Sequence, residues 1–458
     1  MDFGLTLKAL RAIRRMRERE SWSRQQVLAH QAEALQRLRA HAYAHSPFYQ
    51  RFHAGREDQP LQALPVLTKA MLMEHFDEVV TDPNIRLHDV RAFAAQRQEG
   101  ARYLERYWVT ATSGSSGQPG FFLYDEAEWL SILASFARGQ EWSGTRVDLR
   151  HRRRMATVAS VSPWHMSSQV AATARTWWTP SLRLPASDPL ERLVPQLNDW
   201  QPDLLIVYAS MARILAEEQL AGRLRIQPAK TFTSSELLTA ETRRLVRSAW
   251  GDEPYDQYGA TETADIAAEH AQCRRLHLFD DLLIVESVDE QHRPVPLGEF
   301  GARLLVSVLF SQTQPLIRYE LSDGVRLAAG ACECGLPFGV LEAIAGRVED
   351  NLSLPGVNGS RLAVPPLVFN RIMDILPLSG WQVIQEPDDG LTVLLGGVNS
   401  ALDQTALESQ LRKALGDQGA RVPRLSFRHV AEIPKAASGK APQIKAFRAA
   451  AAQPLNDN

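Results

Sequence analysis

The sequence predicts an α/β protein: a large, multi-subdomain N-terminal domain with parallel αβ layers and a β-rich subdomain, followed by a small α+β C-terminal domain. Three observations predict this fold class. The chain has 458 residues, too many for one hydrophobic core. From residue 154 onward, short apolar runs alternate with helical stretches, which is typical of a parallel sheet. After residue 273 several β-prone runs follow one another, and the last part of the chain mixes both patterns.

Composition and charge narrow the function classes. Hydrophobic residues make up 45% of the chain and charged residues 23%, which is ordinary for a globular protein. The net charge of −2 gives no basic excess for a nucleic-acid partner. No apolar run reaches the length of a membrane span, and the first residues lack the hydrophobic core of a signal peptide. Three cysteines in so long a chain exclude a disulfide framework and favour a reducing, cytoplasmic location.

The N-terminal region is predicted to be helical. Long side chains, with no Gly after Gly4 and no Pro before Pro47, predict one helix from about Leu5 to His45. Further on, Thr68 can cap a short helix that reaches His75.

A stretch of small residues, from Thr110 to Gly120, contains only Ser, Thr, Gly, Ala, Gln and Pro. It lies between two β-prone runs, at 107–109 and 121–124, and the next helix is expected at about 125–139. Such a loop can present N–H groups and hydroxyls to a phosphate, or it can be a simple hairpin turn. The strand–loop–strand setting excludes a Walker loop and a dinucleotide fingerprint, since each requires a helix directly after the loop.

Four apolar runs are predicted to be strands of a parallel sheet, at residues 155–161, 203–208, 230–235 and 254–258, with helices at about 211–221 and 239–250. Ligands bind beyond the carboxyl ends of such strands. Polar and aromatic residues recur at those ends: Trp164 and His165, then Tyr208, then Ser234, Ser235 and Glu236, then Tyr258, Thr261 and Glu262.

The remaining chain is predicted to be β-rich and then mixed. Strands are expected at residues 277–288, 302–309 and 324–329, with turns between them. From residue 346, strands near 382–384, 391–395 and 424–427, a helix at about 401–415 and an Ala-rich tail helix suit one small α+β domain. The predicted domains are therefore residues 1–345 and 346–458.

Six short segments occur in a particular order. They are Thr112-Ser-Gly-Ser-Ser-Gly-Gln-Pro119, Thr233-Ser-Ser-Glu236, Tyr258-Gly-Ala-Thr-Glu262, Ile317-Arg-Tyr-Glu-Leu-Ser-Asp323, Gly346-Arg-Val-Glu-Asp350 and Pro434-Lys-Ala-Ala-Ser-Gly-Lys440. Together they resemble the adenylate-forming superfamily of acyl-CoA synthetases. Ser46-Pro-Phe-Tyr49, Leu64-Pro-Val-Leu-Thr-Lys69 and Pro315-Leu-Ile-Arg-Tyr319 resemble its phenylacetate–CoA ligase branch. The resemblance runs from about residue 28 to the end.

The resemblance implies an ATP and Mg²⁺ site. Asp323 would accept both ribose hydroxyls with Arg347 nearby, Thr261 would contact the α-phosphate, and Glu262 would hold Mg²⁺, a hard cation that prefers carboxylate oxygen. Without the resemblance, Thr261 and Glu262 would be interpreted as a helix start, and Asp323 as part of a turn. The β- and γ-phosphates would meet the loop residues Thr112, Ser113, Gly114, Ser115, Ser116 and Gly117. The same nucleotide site would include Ser235, Glu236, Tyr258 and Gly259.

The phosphate loop departs from the superfamily pattern at one position. The superfamily often has Lys directly after the Pro of this loop, whereas this chain has Gly120. The phenylacetate-ligase branch also tends to lack that Lys. The hydroxyls of the loop are therefore expected to carry more of the phosphate binding.

In the C-terminal domain, the resemblance implies a mobile lid with a catalytic Lys440 and a hinge at Glu349. Without it, Lys440 would be interpreted as a solvated surface lysine. A carboxylate with a pKa near 4 is already ionised, so its attack on the α-phosphorus needs no general base. The transition state instead needs positive charge near the developing negative charge, which Mg²⁺ and an ammonium group supply.

All three cysteines lie in one region. Cys273 and His277 form a C-x₃-H pair, and Cys332 and Cys334 a C-x-C pair. These four side chains suffice for a closed, tetrahedral, structural Zn²⁺ site, and some phenylacetate-ligase-like proteins carry one. The alternatives are three unrelated thiols, or His270 as the fourth ligand in place of His277.

The sequence thus predicts an AMP-forming ligase that joins a small, aromatic carboxylic acid to coenzyme A, without nucleic-acid or membrane partners; a homodimer is left open. Trp164, His165 and Tyr208 can line an aryl pocket or lie in the core. Two alternatives remain. One is an adenylate-forming enzyme whose acceptor is an amine, a carrier-protein thiol or, for AMP, a cofactor hydroxyl. The other is a non-catalytic nucleotide-binding or scaffold homologue.

Overall fold

A computed structural model describes residues 3–96, 100–112, 119–146, 152–347, 350–373, 376, 378, 380–397, 402–435 and 441–447. The chain divides into two compact units. The first is built almost entirely from Met1–Leu238 and Thr242–Ile344, and the second mainly from Ala345–Ala436 and Lys440–Asn458.

Helices and strands alternate along the described residues. The helices are α1 (Phe3–Arg19), α2 (Arg24–His45), α3 (Pro47–Phe52), α4 (Lys69–Glu74), α5 (Phe76–Val79), α6 (Leu87–Ala95), α7 (Glu126–Trp142), α8 (Met166–Ala174), α9 (Leu190–Trp200), α10 (Ala209–Leu220), α11 (Ala240–Trp250), α12 (Leu367–Met373) and α13 (Gln404–Asp417). The strands are β1 (Trp108–Ala111), β2 (Phe121–Tyr124), β3 (Met155–Ala159), β4 (Ser181–Pro185), β5 (Leu204–Tyr208), β6 (Lys230–Ser234), β7 (Tyr255–Ala260), β8 (Ala264–Glu269), β9 (Leu276–Leu278), β10 (Leu283–Val288), β11 (Arg303–Val308), β12 (Tyr319–Leu321), β13 (Asp323–Leu327), β14 (Val340–Arg347), β15 (Leu352–Pro355), β16 (Arg361–Val364), β17 (Gly380–Gln385), β18 (Leu391–Gly396), β19 (Leu425–Val430) and β20 (Ile444–Lys445).

The first unit contains a mixed nine-stranded sheet. Strands β4, β3, β5, β6 and β7 lie side by side in this order and run parallel, which confirms the predicted parallel layer. Beyond β7, strands β8, β9 and β14 continue the sheet with antiparallel pairing, and β13 lies outside β14. A separate antiparallel sheet, β10–β11–β12, supplies the rest of the predicted β-rich region.

The parallel strands are fixed by burial. Helices α9, α10 and α11 pack apolar side chains against β3 and β5 in one hydrophobic cluster, with Leu197, Leu215 and Val246 fully buried. A β-strand whose faces are both covered reads as a continuous apolar run, and Leu204–Tyr208 is such a run. The polar residues of this layer therefore lie at the carboxyl ends of the strands, beyond the apolar packing.

The predicted single N-terminal helix is wrong, because the chain forms two helices, α1 and α2. Ser23 caps α2: its Oγ accepts a hydrogen bond from the Gln26 N–H at 3.2 Å, and the Gln26 side chain accepts one from the Ser23 N–H at 2.8 Å. This reciprocal capping box starts a new helix at residue 24. The Ser-x-x-Gln signal was therefore present in the sequence.

The predicted strand at 277–288 is also wrong, because β9 and β10 belong to different sheets. Asp281 lies between them and is buried. It accepts hydrogen bonds from Arg138 at 2.6 and 2.9 Å and from Arg19 at 3.0 Å. Burial alone would raise the pKa of Asp281, but the two guanidinium groups outweigh it and hold that pKa below 3.8. The charge of Asp281 is thus compensated where the chain passes from one sheet to the other.

The second unit has its own core. Strands β19, β18, β17 and β20 form a sheet in this order, and β15 and β16 form a hairpin. Leu407, Leu411 and Leu415 of α13 are buried at helical spacing. The predicted tail helix lies largely outside the described residues. In the part of the chain that is described, no helix is long and apolar enough to cross a lipid bilayer.

Candidate active site

The predicted phosphate loop is carried by a β-hairpin. Strands β1 and β2 pair antiparallel, and Ala111 faces Phe121 at the loop end. Across the neck of this hairpin, the Thr112 N–H donates to the Gly120 carbonyl at 2.9 Å, and the Gly120 N–H donates to Thr112 Oγ1 at 2.8 Å. Thr112 is thereby fixed at the entrance of the loop. The other predicted loop residues, Ser113 to Gly117, lie outside the described residues.

Sequence reasoning missed Lys69, whose side chain reaches the same neck. Its Nζ donates to Thr112 Oγ1 at 3.1 Å. A Cβ atom added to Gly120 would lie 3.1 Å from Lys69 Cε, so the glycine leaves the space that the lysine side chain passes through. No local pattern reveals this contact, because residues 69 and 112 are brought together by long-range strand pairing.

The turn between β7 and β8 contains the predicted metal and α-phosphate residues. Gly259 faces the Ala264 carbonyl so closely that an added Cβ would lie 2.4 Å from that oxygen, so only glycine fits here. The Tyr124 hydroxyl donates to the Thr261 carbonyl at 2.8 Å and fixes the turn from the hairpin side. Glu262 follows and is buried, 8% exposed. The turn thus holds a buried carboxylate against the phosphate-loop hairpin.

Two tyrosine hydroxyls contact Glu262, one at its carboxylate and one at its backbone carbonyl. The Tyr319 hydroxyl lies 3.4 Å from Glu262 Oε1, and the Tyr124 hydroxyl also lies 3.2 Å from the Glu262 carbonyl oxygen. Burial, and then the negative charge of Glu262, raises the pKa of both phenols well above 10. Both tyrosines are therefore protonated donors at neutral pH. A buried carboxylate oriented by such donors is a suitable ligand for a hard divalent cation.

The predicted ribose-binding carboxylate is also oriented by a tyrosine. The Tyr258 hydroxyl donates to Asp323 Oδ2 at 2.9 Å, although the two residues are 65 positions apart. Tyr258 comes from β7 and Asp323 from the start of β13. The structure thus brings together the turn Tyr258–Glu262 and the segment Tyr319–Asp323, as the resemblance implies.

The remaining predicted nucleotide residues lie at the end of β6. Ser235 is exposed and adopts a left-handed backbone conformation with φ of +68°. Glu236 Oε2 accepts a hydrogen bond from the Ser210 N–H at 2.8 Å, at the first turn of α10. A carboxylate at a helix N-terminus is stabilised by the helix dipole. Glu236 therefore links the ends of β5 and β6.

Two of the three candidate substrate residues are buried. Trp164 is buried, its ring centroid is 5.6 Å from that of Phe93, and its carbonyl accepts from the Ala111 N–H. Tyr208 is buried among the residues of α10, and its hydroxyl accepts from the Ser160 N–H at 2.9 Å. His165 is half-buried at the start of α8.

Three predicted residues near or in the second unit have no described side chain. Arg347 is the last residue of β14, and nothing is described of its side chain. Glu349 and Lys440, the predicted hinge and catalytic lysine, lie outside the described residues.

The cysteines and His277 form one cluster, as the zinc prediction requires. One ligand atom from each of Cys273, His277, Cys332 and Cys334 lies within 4.8 Å of all the others. His277 Nε2 lies 3.4 Å from Cys273 Sγ and 3.3 Å from Cys334 Sγ. Tetrahedral zinc with ordinary bond lengths would place such S and N atoms about 3.6 Å apart. The donor set and its spacing therefore fit Zn²⁺.

The second nitrogen of His277 is also placed as a metal ligand needs. Nδ1 lies 3.4 Å from the Phe338 carbonyl, which leaves Nε2 for the cluster. Burial lowers the pKa of His277 to about 4, so the imidazole is neutral. His270, the alternative ligand, lies outside the cluster, with its ring centroid 6.1 Å from that of His277.

Comparison with known proteins gives relatives in sequence and in fold. No family model matches the chain. Phenylacetate-coenzyme A ligase of Thermus thermophilus is 27% identical over 361 residues, covering 74% of this chain and 75% of that protein. Phenylacetate-coenzyme A ligase of Pseudomonas putida is 26% identical over 376 residues, covering 76% of each.

Two solved structures show the same fold. The first is 2-hydroxyisobutyryl-CoA ligase in the postadenylation state with 2-HIB-AMP; its TM-score is 0.74 at 21% identity, covering 94% of this chain and 92% of that chain. The second is an anthranilate CoA ligase in complex with anthranoyl-AMP; its TM-score is 0.51 at 18% identity, covering 73% and 64%.

Proposed function

We propose that this chain, which belongs to the adenylate-forming superfamily and to its phenylacetate–CoA ligase-like branch, activates a carboxylic acid with ATP and transfers the acyl group to coenzyme A. One observation carries the proposal. Tyr258 binds Asp323, and Tyr319 lies against Glu262, so two segments that are distant in sequence set two carboxylates at the end of the sheet beside the phosphate-loop hairpin. A ribose and a phosphate-bound cation need such carboxylates.

In the first half-reaction, the acid's carboxylate oxygen forms a bond to the α-phosphorus of ATP, and the bond to pyrophosphate breaks. The chain's task is to orient ATP and to stabilise the negative charge that develops. Asp323 holds the ribose, Thr112 the phosphate chain and Thr261 the α-phosphate. Mg²⁺, when bound at Glu262, supplies charge neutralisation for the phosphates. Lys440 supplies the ammonium group.

In the second half-reaction, the thiol of coenzyme A takes the acyl group, and AMP leaves. The two curated relatives are named as phenylacetate ligases, which supports an aryl acid and coenzyme A as substrates. The division of the chain between residues 344 and 345 supports a domain boundary near residue 345. The resemblance implies that Glu349 is the hinge of a lid.

The cysteine–histidine cluster holds a structural Zn²⁺ in this proposal. Cys273, His277, Cys332 and Cys334 give four ligands, which fill a tetrahedral site and leave no position for a substrate. The metal would fix the connection between β8 and β9 to the loop before β14.

The test is to incubate the purified chain with ATP, Mg²⁺, coenzyme A and a panel of aryl, aliphatic and amino acids. We expect acid-dependent release of AMP and consumption of coenzyme A thiol in a one-to-one ratio. AMP release with an accepted acid, but without thiol consumption, would indicate another acceptor. Neither AMP nor pyrophosphate release with any acid would contradict the proposal.

A further inference from the structure

We propose that Asp265 and Gln257 are specificity-determining residues, which bind a hydroxyl group of the carboxylic acid substrate next to the turn between β7 and β8. The inference rests on the proposed function and narrows its substrate class to acids that carry a hydroxyl group. Neither residue belongs to the nucleotide site that the resemblance implies, and neither takes part in the two half-reactions described above.

Two buried polar atoms face the same point of α7 and have no partner. Among the described residues, none donates a hydrogen bond to Asp265 Oδ2, and none accepts one from Gln257 Nε2. A Cβ atom added to Gly139 of α7 would lie 2.5 Å from Gln257 Nε2 and 3.5 Å from Asp265 Oδ2. Both residues are buried, with 4% of Asp265 and 7% of Gln257 exposed. An unpaired donor atom and an unpaired carboxyl oxygen therefore lie beside one glycine.

These two side chains belong to the strands that carry the predicted α-phosphate and metal turn. Asp265 pairs with Gly259 across β7 and β8, and a Cβ atom added to Gly259 would lie 3.1 Å from Asp265 Cα. Gln257 directly precedes Tyr258. In the proposed reaction the acid's carboxylate reaches the α-phosphorus beside Thr261. The rest of a small acid then lies close to this turn, where a substituent can meet Asp265 and Gln257.

A purely structural role explains an unpaired carboxyl group in this position poorly. Burying a polar group without a hydrogen bond costs roughly 1–3 kcal/mol, and burying a charged group costs more. In the described part of the chain, burial alone acts on the carboxyl group of Asp265 and raises its pKa well above 3.8. Other buried carboxylates are paired with guanidinium groups: Asp281 with Arg138, Glu286 with Arg318, and Glu269 with Arg243. A bound ligand group would supply the hydrogen bonds that Asp265 lacks.

The two unpaired atoms match a hydroxyl group. A hydroxyl donates one hydrogen bond and accepts two, so it can donate to Asp265 Oδ2 and accept from Gln257 Nε2. An ammonium group would instead require the charged form of Asp265, which burial disfavours. An acid without the hydroxyl would leave both protein atoms unpaired, and a site built to bind a hydroxyl discriminates against such an acid for this reason.

The test compares matched acids in acid-dependent ATP–pyrophosphate exchange. Phenylacetic acid and benzoic acid are each compared with their ortho, meta and para hydroxy derivatives, and short aliphatic acids with their hydroxy derivatives. For wild type we expect kcat/KM to be at least about 10-fold higher for one hydroxy acid than for its unsubstituted parent, because the parent leaves buried polar atoms unpaired.

Variants assign this preference to the two residues. Asp265→Leu should lose the preference and retain exchange with the unsubstituted acid, because it replaces an unpaired buried polar group by an apolar one of similar size. Gln257→Leu should also reduce the preference, and Asp265→Asn, which keeps hydrogen-bonding atoms, should retain part of it. The matched control is Asn370→Leu, which removes another buried side chain with unpaired amide atoms, on α12 of the second unit, and should leave the preference unchanged.

The ratio between hydroxy acid and parent acid separates the outcomes. A wild type that exchanges with unsubstituted acids but prefers no hydroxy acid would overturn the inference and leave the proposed function intact. A preference that persists in Asp265→Leu would also overturn it, and so would an equal loss with both acids, which indicates a structural role. Thermal unfolding shows whether each variant is folded, and Gln257→Leu decides by the same ratio if Asp265→Leu is not. If wild type exchanges with no acid at all, the proposed function fails, and the inference fails with it.

Discussion

The candidate active site and the cysteine–histidine cluster lie at opposite ends of β8, and they are built differently. The cluster is compact: four N and S ligand atoms lie within 4.8 Å of one another and would fill the four positions of a tetrahedral metal site. In the candidate active site, tyrosine hydroxyls contact carboxylates from different segments: Tyr319 lies against Glu262, and Tyr258 donates to Asp323. Closed coordination suits stability, whereas carboxylates oriented by neutral hydroxyls suit the binding of a ligand.

Both regions are assembled by strand pairing, but by different pairs of segments. At the cluster, pairing of β9 with β8 and β14 brings the ligands together. At the active site, pairing of Leu67 with Tyr319 places Lys69, the first residue of α4, near the neck of the β1–β2 hairpin. Substitutions in the cluster should therefore change stability, and substitutions in the active site should change activity.

The largest effect is expected from removal of a zinc ligand. Purified wild-type protein should contain about one zinc per chain by metal analysis. Cys332→Ser should lose the zinc and lower the unfolding temperature by about 10 °C or more, since structural zinc contributes several kcal/mol to folding. His270→Gln, which removes a nearby imidazole outside the cluster, should keep both. Wild-type protein without zinc would end the metal assignment.

The next effect concerns Lys440. Lys440→Ala should lower ATP–pyrophosphate exchange with an accepted acid by about 100-fold or more, because one stabilising charge is lost from the transition state. The unfolding temperature should not change, in contrast to Cys332→Ser. Lys413→Ala, a surface lysine on α13, is the control. Near-normal exchange in Lys440→Ala would refute the assignment of this lysine.

A smaller effect is expected from Tyr258→Phe. Loss of the hydroxyl that orients Asp323 should raise KM for ATP about tenfold, since hydrogen bonds to charged groups contribute roughly 1.5 kcal/mol. The KM for the acid should stay the same. Tyr43→Phe, which changes an exposed tyrosine, provides the reference. A change in both KM values would show that Tyr258 does more than position the ribose carboxylate.

The smallest effect is a pH dependence of stability. Glu128, at the start of α7, is buried and accepts hydrogen bonds from Thr313. Burial, and then the charge of Asp125, raises its pKa to about 7. The pKa of Glu128 is higher in the folded state than in the unfolded chain. Its contribution to the free energy of unfolding is therefore complete below about pH 4.5 and is lost as the pH rises through 7. Between pH 6 and 8 the loss amounts to about 1 kcal/mol.

Urea unfolding at pH 6 and pH 8 measures this difference. Glu128→Gln should remove most of the slope, whereas Glu126→Gln, a half-buried neighbour on the same helix that pairs with Lys8, should keep it. An unchanged slope in Glu128→Gln would assign the pH dependence to other groups.

Patterns local in sequence predicted much of the architecture. The alternation from residue 154 identified strands β3, β5, β6 and β7, since buried parallel strands are continuous apolar runs. The cysteine–histidine cluster was predictable because the chain has only three cysteines and all three lie in one region with a histidine. The Ser23 capping box was also present in the sequence. The boundary between α1 and α2 was nevertheless not predicted, because the residues on both sides have a helical composition.

Features that depend on distant partners were not predictable. Lys69 looked like an ordinary first residue of a helix, and only the pairing of Leu67 with Tyr319 reveals its contact with Thr112. Asp281 lies in a strand-like sequence, and its buried charge is compensated by Arg138 and Arg19, which are distant in the chain. Trp164 and Tyr208 stood at strand ends, where the sequence could not distinguish a pocket from the core, and both side chains are buried in the structure.

The most direct test of the central proposal is acid-dependent ATP–pyrophosphate exchange by the purified full chain. With Mg²⁺ and an accepted aryl acid, we expect labelled pyrophosphate to enter ATP, and no exchange without the acid. Exchange without coenzyme A would show that the adenylate forms first. Absence of exchange across a broad panel of acids, by a folded chain that contains zinc, would contradict the account.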